Sequence, residues 1–361
     1  MSGPYPPDMR PPLTRSLFST PAAHDLLKTY ALAQSAGDAV VREMRDDSTL
    51  AFEQALRNLR DDGHAHHLLM SMALPLYLQA LLLGYSETLH ADALRYSALV
   101  DELLKLKTRV YFISLNYDTL LDYRLGALSP LRSMSSYIDT GMNWCLIKPH
   151  GSVNWYYETE ASFDPRAPGP VASQKASEIQ CVPADSFDLR VVRGTVSRSD
   201  AHLETRRYPA IALPEGPKDE LVLPEDHLFR LKGALQAAQE IDLLVLGYSG
   251  LDTEVLELVR SNCQRIRRMT VVNRDPAETL KVYSALSDAG IHANWPDTFD
   301  GSYEQWVDGD GLRQWVREFG GLPGGPYPSL TEPSDLENRI AVRDIKTRQP
   351  SGRENWLTKE F

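Results

Sequence analysis

The chain has 361 residues and a formal net charge of −11, from 38 lysines and arginines against 49 aspartates and glutamates. Hydrophobic residues make up 42% and charged residues 24%, a globular mix that excludes disorder over most of the length. The acidic balance, with a pI near 5.3, argues against direct binding of nucleic-acid backbones.

No apolar run reaches the roughly 18 residues of a membrane helix, so no membrane association is expected. The longest run, Leu76 to Leu83, is interrupted by Tyr77 and Gln79. Met1 to Pro12 carries five prolines and no apolar signal-peptide core. Cys145, Cys181 and Cys263 form neither a disulfide framework nor a CxxC zinc half-site. A cytoplasmic, reducing compartment is expected.

Residues 1–20 are proline-rich and read as irregular. Ala22 to about Lys107 reads as a helical block. Leu26, Leu27, Tyr30 and Ala31 recur at helical spacing, as do Phe52, Ala55, Leu56 and Leu59. Asp61-Asp62-Gly63 ends one helix, Gly84 ends the next, and a fourth runs from about Ala91 to Lys107. Arg109 to Ser114, Cys145 to Lys148, Ala210 to Leu213, Ile241 to Leu246 and Met269 to Val272 read as five short strands. Helices are expected over Leu228 to Ala238 and Thr253 to Cys263. This alternation predicts an α/β fold with a parallel sheet of the Rossmann type. Glu158 to Arg207 is a polar excursion, and GGLPGGPYP after Gly320 has linker composition.

In an open parallel sheet, ligands bind at the carboxyl ends of strands. There the sequence places Asn116-Tyr117-Asp118, Pro149-His150-Gly151-Ser152, Gly247-Tyr248-Ser249-Gly250-Leu251-Asp252 and Asn273-Arg274-Asp275. Each has a plain reading. Asn116 or Asp118 caps the following helix. His150 alone is a satisfied buried histidine; before Gly151 at a strand end it is a candidate general base. Gly247 and Ser249 form a strand-to-helix turn, or let a ligand approach the backbone beside a helix N-terminus. Asn273 serves that turn or binds a ribose hydroxyl. Four polar strand ends on one side are a stronger signal than any one of them. The histidines His64, His66, His67 and His90 read as a solvated face, Cys145 as core, and Trp306 and Trp315 as core anchors. Arg265, Arg267 and Arg268 read as a basic helix end.

LNYD, KPHGSVNW, LLVLGYSGLD and VVNRD, in this order, resemble the sirtuin-like (silent information regulator) domain, and its bacterial zinc-free branch most closely. The resemblance covers about residues 8–320. It implies a sirtuin-like domain over 1–322 with a helical insertion at 22–107, an excursion at 158–207, and a linker and tail over 323–361. It implies NAD as substrate and an NAD glycohydrolase activity yielding nicotinamide and ADP-ribose. Asn116, Asp118 and His150 would be catalytic, and Gly151, Gly247, Tyr248, Ser249, Asp252 and Asn273 would face NAD. Relatives in that branch act in anti-phage defence, which implies a homo-oligomer or a defence-system partner protein. The family's four-cysteine zinc module has no counterpart after Tyr157, so no zinc is expected and protein deacylation ranks third. The family's opening strand and GAGxS loop also have no counterpart. Weak NAD binding by this chain, and a role as a sensor or scaffold for NAD or an ADP-ribose derivative, form the second reading.

Overall fold

The computed structural model describes residues 17–320, except 48–49, 51, 62–63, 90–92, 107, 164–187, 192–204, 213–221, 249, 251, 264–265, 274–275 and 301–302. The chain divides into two compact units, 1–316 and 317–361; the core and site described here lie in the first. Eleven α-helices and eight strands are found among the described residues, a mixed α/β structure.

The helical block comprises α1 (Pro21–Leu27), α2 (Ala31–Asp46), α3 (Phe52–Asp61), α4 (Ala65–Leu89) and α5 (Ala93–Leu103). Thr20 starts it by accepting a 3.1 Å bond from the Ala23 amide, with Pro21 at the first helical position. α4 is buried along residues 73–83, the signature of a central helix rather than an amphipathic one. Tyr30, Leu56, Leu74 and Tyr77 fill the core it shares with its neighbours. The helix expected to stop at Gly84 continues to Leu89. One glycine costs a helix about 1 kcal/mol, less than the burial of Leu81, Leu82, Leu83 and Tyr85 around it supplies.

The remaining elements are β1 (Val110–Ile113), α6 (Leu120–Leu128), a 3-10 turn (Met134–Ile138), β2 (Trp144–Ile147), β3 (Gly151–Phe163), β4 (Asp188–Val191) and β5 (Thr205–Ile211). There follow α7 (Glu225–Ala237), β6 (Ile241–Leu246), α8 (Thr253–Asn262), β7 (Ile266–Asn273), α9 (Pro276–Asp288), β8 (Ala293–Asp300), α10 (Tyr303–Asp308) and α11 (Gly311–Gly320).

The single five-stranded parallel sheet expected from the sequence is corrected. β1 and β2 form one parallel pair, and β6-β7-β8 form a separate parallel sheet. The segment expected as a third parallel strand ends instead in β5, antiparallel to β3 in a sheet ordered β4-β3-β5. Both ends of the 158–207 excursion are therefore strand; its interior lies outside the described residues. The cause is Gly151. With φ at +77° it turns the chain after β2 sharply enough to start β3 at once, and Ala210 O sits where a Cβ would be, 1.9 Å away.

The basic run expected at a helix end is also corrected. Arg267 and Arg268 lie within β7 and pair with Asp242 of β6 and Asp297 of β8. Arg265 lies outside the described residues. Cys145 is fully buried, and Trp306 and Trp315 are core residues, as the sequence predicts. Trp315 also donates its indole N–H to Thr270 Oγ1 at 3.0 Å, tying α11 to β7.

Candidate active site

The site forms where β1, β2 and β6 end. β2 is apolar and buried throughout, so the residues after it are delivered into the interior. His150 is only 1% exposed. Its main chain is fixed on both sides, because the Ala212 amide donates to His150 O at 2.9 Å and the Val222 amide to Pro149 O at 2.7 Å.

His150 Nε2 lies 3.1 Å from Asp252 Oδ1. Asp252 is itself buried and occupies the N-cap position of α8, the positive end of that helix. Two tyrosines complete the surroundings. The Tyr117 ring lies 6.3 Å from the His150 ring, and its hydroxyl donates to Ala212 O at 2.7 Å. The Tyr248 hydroxyl accepts from the Asp252 amide at 3.2 Å. Burial, and then the Asp252 charge, push the ionisation of both phenols well above the ordinary value of 10. Both therefore stay as O–H donors across the physiological range. The Asp252 carboxylate therefore lies beside the His150 imidazole, with both phenols near enough to feel its charge.

The sequence-predicted residues divide into three groups. His150, Tyr248 and Asp252 are brought together, and Asn273 joins them by donating Nδ2–H to Tyr248 O at 2.9 Å. Asn116 is exposed on the loop after β1. Asp118, on the same loop, accepts the Leu120 amide at 3.0 Å and so caps α6, the plain reading of that residue. The close approach of β5 and a φ of +77° require a glycine at 151. Gly247 differs: its φ is +59° and a Cβ there would meet nothing within 4 Å among the described residues. Ser249 lies outside the described residues, as do Leu251, Arg274 and Asp275.

Sequence reasoning gave no individual role to Lys148, Ser152 and Asn154, although they lie in KPHGSVNW, and did not single out Asp122. Lys148 is fully buried and its Nζ donates to Asp118 O (2.5 Å), Ser152 Oγ (2.7 Å) and Asp122 Oδ2 (2.9 Å). The other Asp122 oxygen accepts from Tyr137 Oη–H at 2.7 Å, and Asn154 Nδ2–H donates to Tyr137 Oη at 3.2 Å. The signal was a lysine placed directly after the apolar strand run Trp144 to Ile147, where the next side chain is carried inward.

No grouping of three or more metal-ligating side chains occurs among the described residues. No helix among them is long and apolar enough to cross a membrane. In chemical terms, a buried imidazole beside a carboxylate suits proton transfer, and an adjacent open turn at the end of a parallel strand suits a nucleotide. No protein-family model matches the chain, and no curated protein or solved structure matches it either.

Proposed function

We propose that this chain is an NAD glycohydrolase of sirtuin-like type, releasing nicotinamide and ADP-ribose, and that it serves bacterial anti-phage defence. The observation that carries the reading is the His150–Asp252 pair at the carboxyl ends of two parallel strand groups. Cleavage of the N-glycosidic bond leaves an oxocarbenium-like ribose, which needs orientation and a base more than a strong nucleophile. In this reading His150 acts as base on a ribose hydroxyl or the attacking water, and Asp252 stabilises the imidazolium. Asn116 orients the nicotinamide ribose or that water, and Asp118 meets the carboxamide. Gly247, Tyr248 and Asn273 form the turn beside the adenosine half. NAD is substrate, and no metal enters the scheme.

A second reading, a module that binds NAD or an ADP-ribose derivative, is favoured by one observation. Asp118 and Asn273 each spend a polar atom on the fold, at Leu120 N and Tyr248 O. The two readings separate in one assay. Nicotinamide release from NAD is measured for the wild-type chain and His150→Ala. Turnover that the variant loses supports the hydrolase. Tight NAD binding without turnover replaces it with the binding module.

A further inference from the structure

We infer that Lys148 is a positioning residue that locks the loop carrying Asn116 and Asp118 onto the turn carrying His150. The chemical meaning of that lock rests on the reading proposed above; its geometry does not. β1 and β2 are hydrogen-bonded to each other only as far as Ser114 N and Ile147 O. Beyond that point the strand ladder ends, and both chain segments carry residues the site needs. Lys148 closes the gap. Its three N–H groups have three acceptors, Asp118 O, Ser152 Oγ and Asp122 Oδ2, one on the loop, one on β3 and one on α6. The Val153 amide adds a 2.9 Å bond to Tyr117 O, and Ser152 Oγ donates to the same oxygen at 3.3 Å. Residues 117 and 118 are thereby bound through their carbonyls to 148, 152 and 153. The Asp122 carboxylate is held in turn by Tyr137, which packs its ring edge-on to Trp155 at 5.3 Å.

A buried lysine–aspartate pair is a poor means of gaining stability, since apolar residues of like volume commonly serve as well. It supplies direction instead. A methionine in place of Lys148 would fill the volume but could not hold the Asp118 carbonyl, the Ser152 hydroxyl and the Asp122 carboxylate at a fixed spacing. Catalysis by orientation is sensitive to displacements of about 1 Å, so a lock of this kind acts on turnover more than on affinity.

The test compares wild type, Lys148→Met, Asp122→Leu and the double variant Lys148→Met/Asp122→Leu. Each single variant leaves a buried charge without its partner and is expected to melt lower. The double variant removes both charges and is expected to recover most of the melting temperature. Three readouts follow. Amide exchange at Leu120 and Val153 reports the loop directly, because their acceptors are Asp118 and Tyr117. In wild type both should exchange about as slowly as Leu146 and Ile147, and in the double variant at least about 10-fold faster. With NAD as substrate, the double variant should lose at least about 10-fold in kcat. Its affinity for ADP-ribose, which lacks nicotinamide, should stay within about twofold. Wild-type exchange at Val153 as fast as at an exposed loop overturns the inference, as does a folded double variant with wild-type exchange and kcat. If wild type releases no nicotinamide, the proposed hydrolase fails, and the exchange of Leu120 and Val153 still decides for or against the lock.

Discussion

Asp252 and His150 follow strands of two different sheets, yet their side chains meet 3.1 Å apart inside the protein. The pair joins the turn that follows β2 to the residue that follows β6 and precedes α8. The same carboxylate adds to the effect of burial in raising the phenols of Tyr117 and Tyr248.

Asp252→Asn tests that arrangement. The volume is kept and the charge removed. In the proposed reading, nicotinamide release should fall about 10- to 100-fold, because an imidazolium formed at His150 loses its counter-charge. The Tyr117 and Tyr248 ionisations should move down toward the ordinary value, while burial, the larger cause, keeps them above it. Ultraviolet titration of the folded variant against wild type measures the shift. Unchanged phenol titrations would remove Asp252 from its central place.

Two glycines at strand ends should respond very differently to alanine. Gly151→Ala combines a left-handed φ of +77° with a Cβ 1.9 Å from Ala210 O, so β5 must move. A loss above about 4 kcal/mol, or failure to fold, is expected. Gly247→Ala has a φ of +59° but open space around the new methyl. Its cost should be the conformational one alone, about 1–2 kcal/mol. In the proposed reading it should also weaken NAD binding, because the methyl enters the space left for ligand. Thermal melts and NAD titration of the two variants decide this.

The coupling of β6 to β7 has an electrostatic part that salt should reveal. The register shifts between Ile241 and Asp242, leaving Arg267 as the extra residue on β7. Arg267 uses this to grip Asp242 with two nitrogens, Nε to Oδ1 at 2.8 Å and Nη2 to Oδ2. Both side chains are partly exposed, which limits the gain. A double-mutant cycle over Asp242→Asn and Arg267→Gln should give a coupling of about 1 kcal/mol at low salt. That coupling should shrink between about 0.01 M and 1 M salt, as the Debye length contracts from about 30 to 3 Å. A coupling indifferent to salt would mean that the pair acts through packing.

Much of this structure was legible in the sequence, and the failures share one cause. Helices α3 to α5, β1, β2, β6, β7 and α8 follow from apolar periodicity, which local chemistry expresses directly; the helix expected across Leu26 to Ala31 is instead broken between α1 and α2. His150, Asp252 and Tyr248 were found because they follow apolar strand runs, where the fold must expose polar groups at one edge. What periodicity does not carry is pairing. Nothing in Ala210 to Leu213 distinguishes a parallel strand from the antiparallel β5 that crowds Gly151. Arg267 and Arg268 read as a helix end because the carboxylates that hold them in a strand, Asp242 and Asp297, are 25 and 29 residues away. Lys148 escaped for the same reason: its partners lie on three elements, brought together only by the tertiary fold.

The last expectation concerns acid stability and rests on His227, at the start of α7. The ring is fully buried and packs against Trp155 at 5.6 Å and Tyr137 at 6.1 Å. Met134 O can only accept, so the Nε2 atom 2.9 Å from it carries a hydrogen. Nδ1 has no hydrogen-bond partner among the described residues. Burial lowers the ionisation of His227 below its ordinary value of 6.5, outweighing the Met134 carbonyl and Asp226, which both favour the cation. Between the lowered folded value and 6.5, the unfolded chain binds a proton that the native ring refuses. Native stability should therefore be complete above about pH 6.5 and decline as pH falls, by up to about 1.4 kcal/mol per pH unit from this residue. His227→Gln retains an N–H donor and does not titrate. Urea unfolding from about pH 5 to 7.5 should show the wild-type advantage over the variant shrinking steadily toward acid. Parallel stability curves would mean that the native protein admits the proton and that the ring is not enclosed as its neighbours indicate.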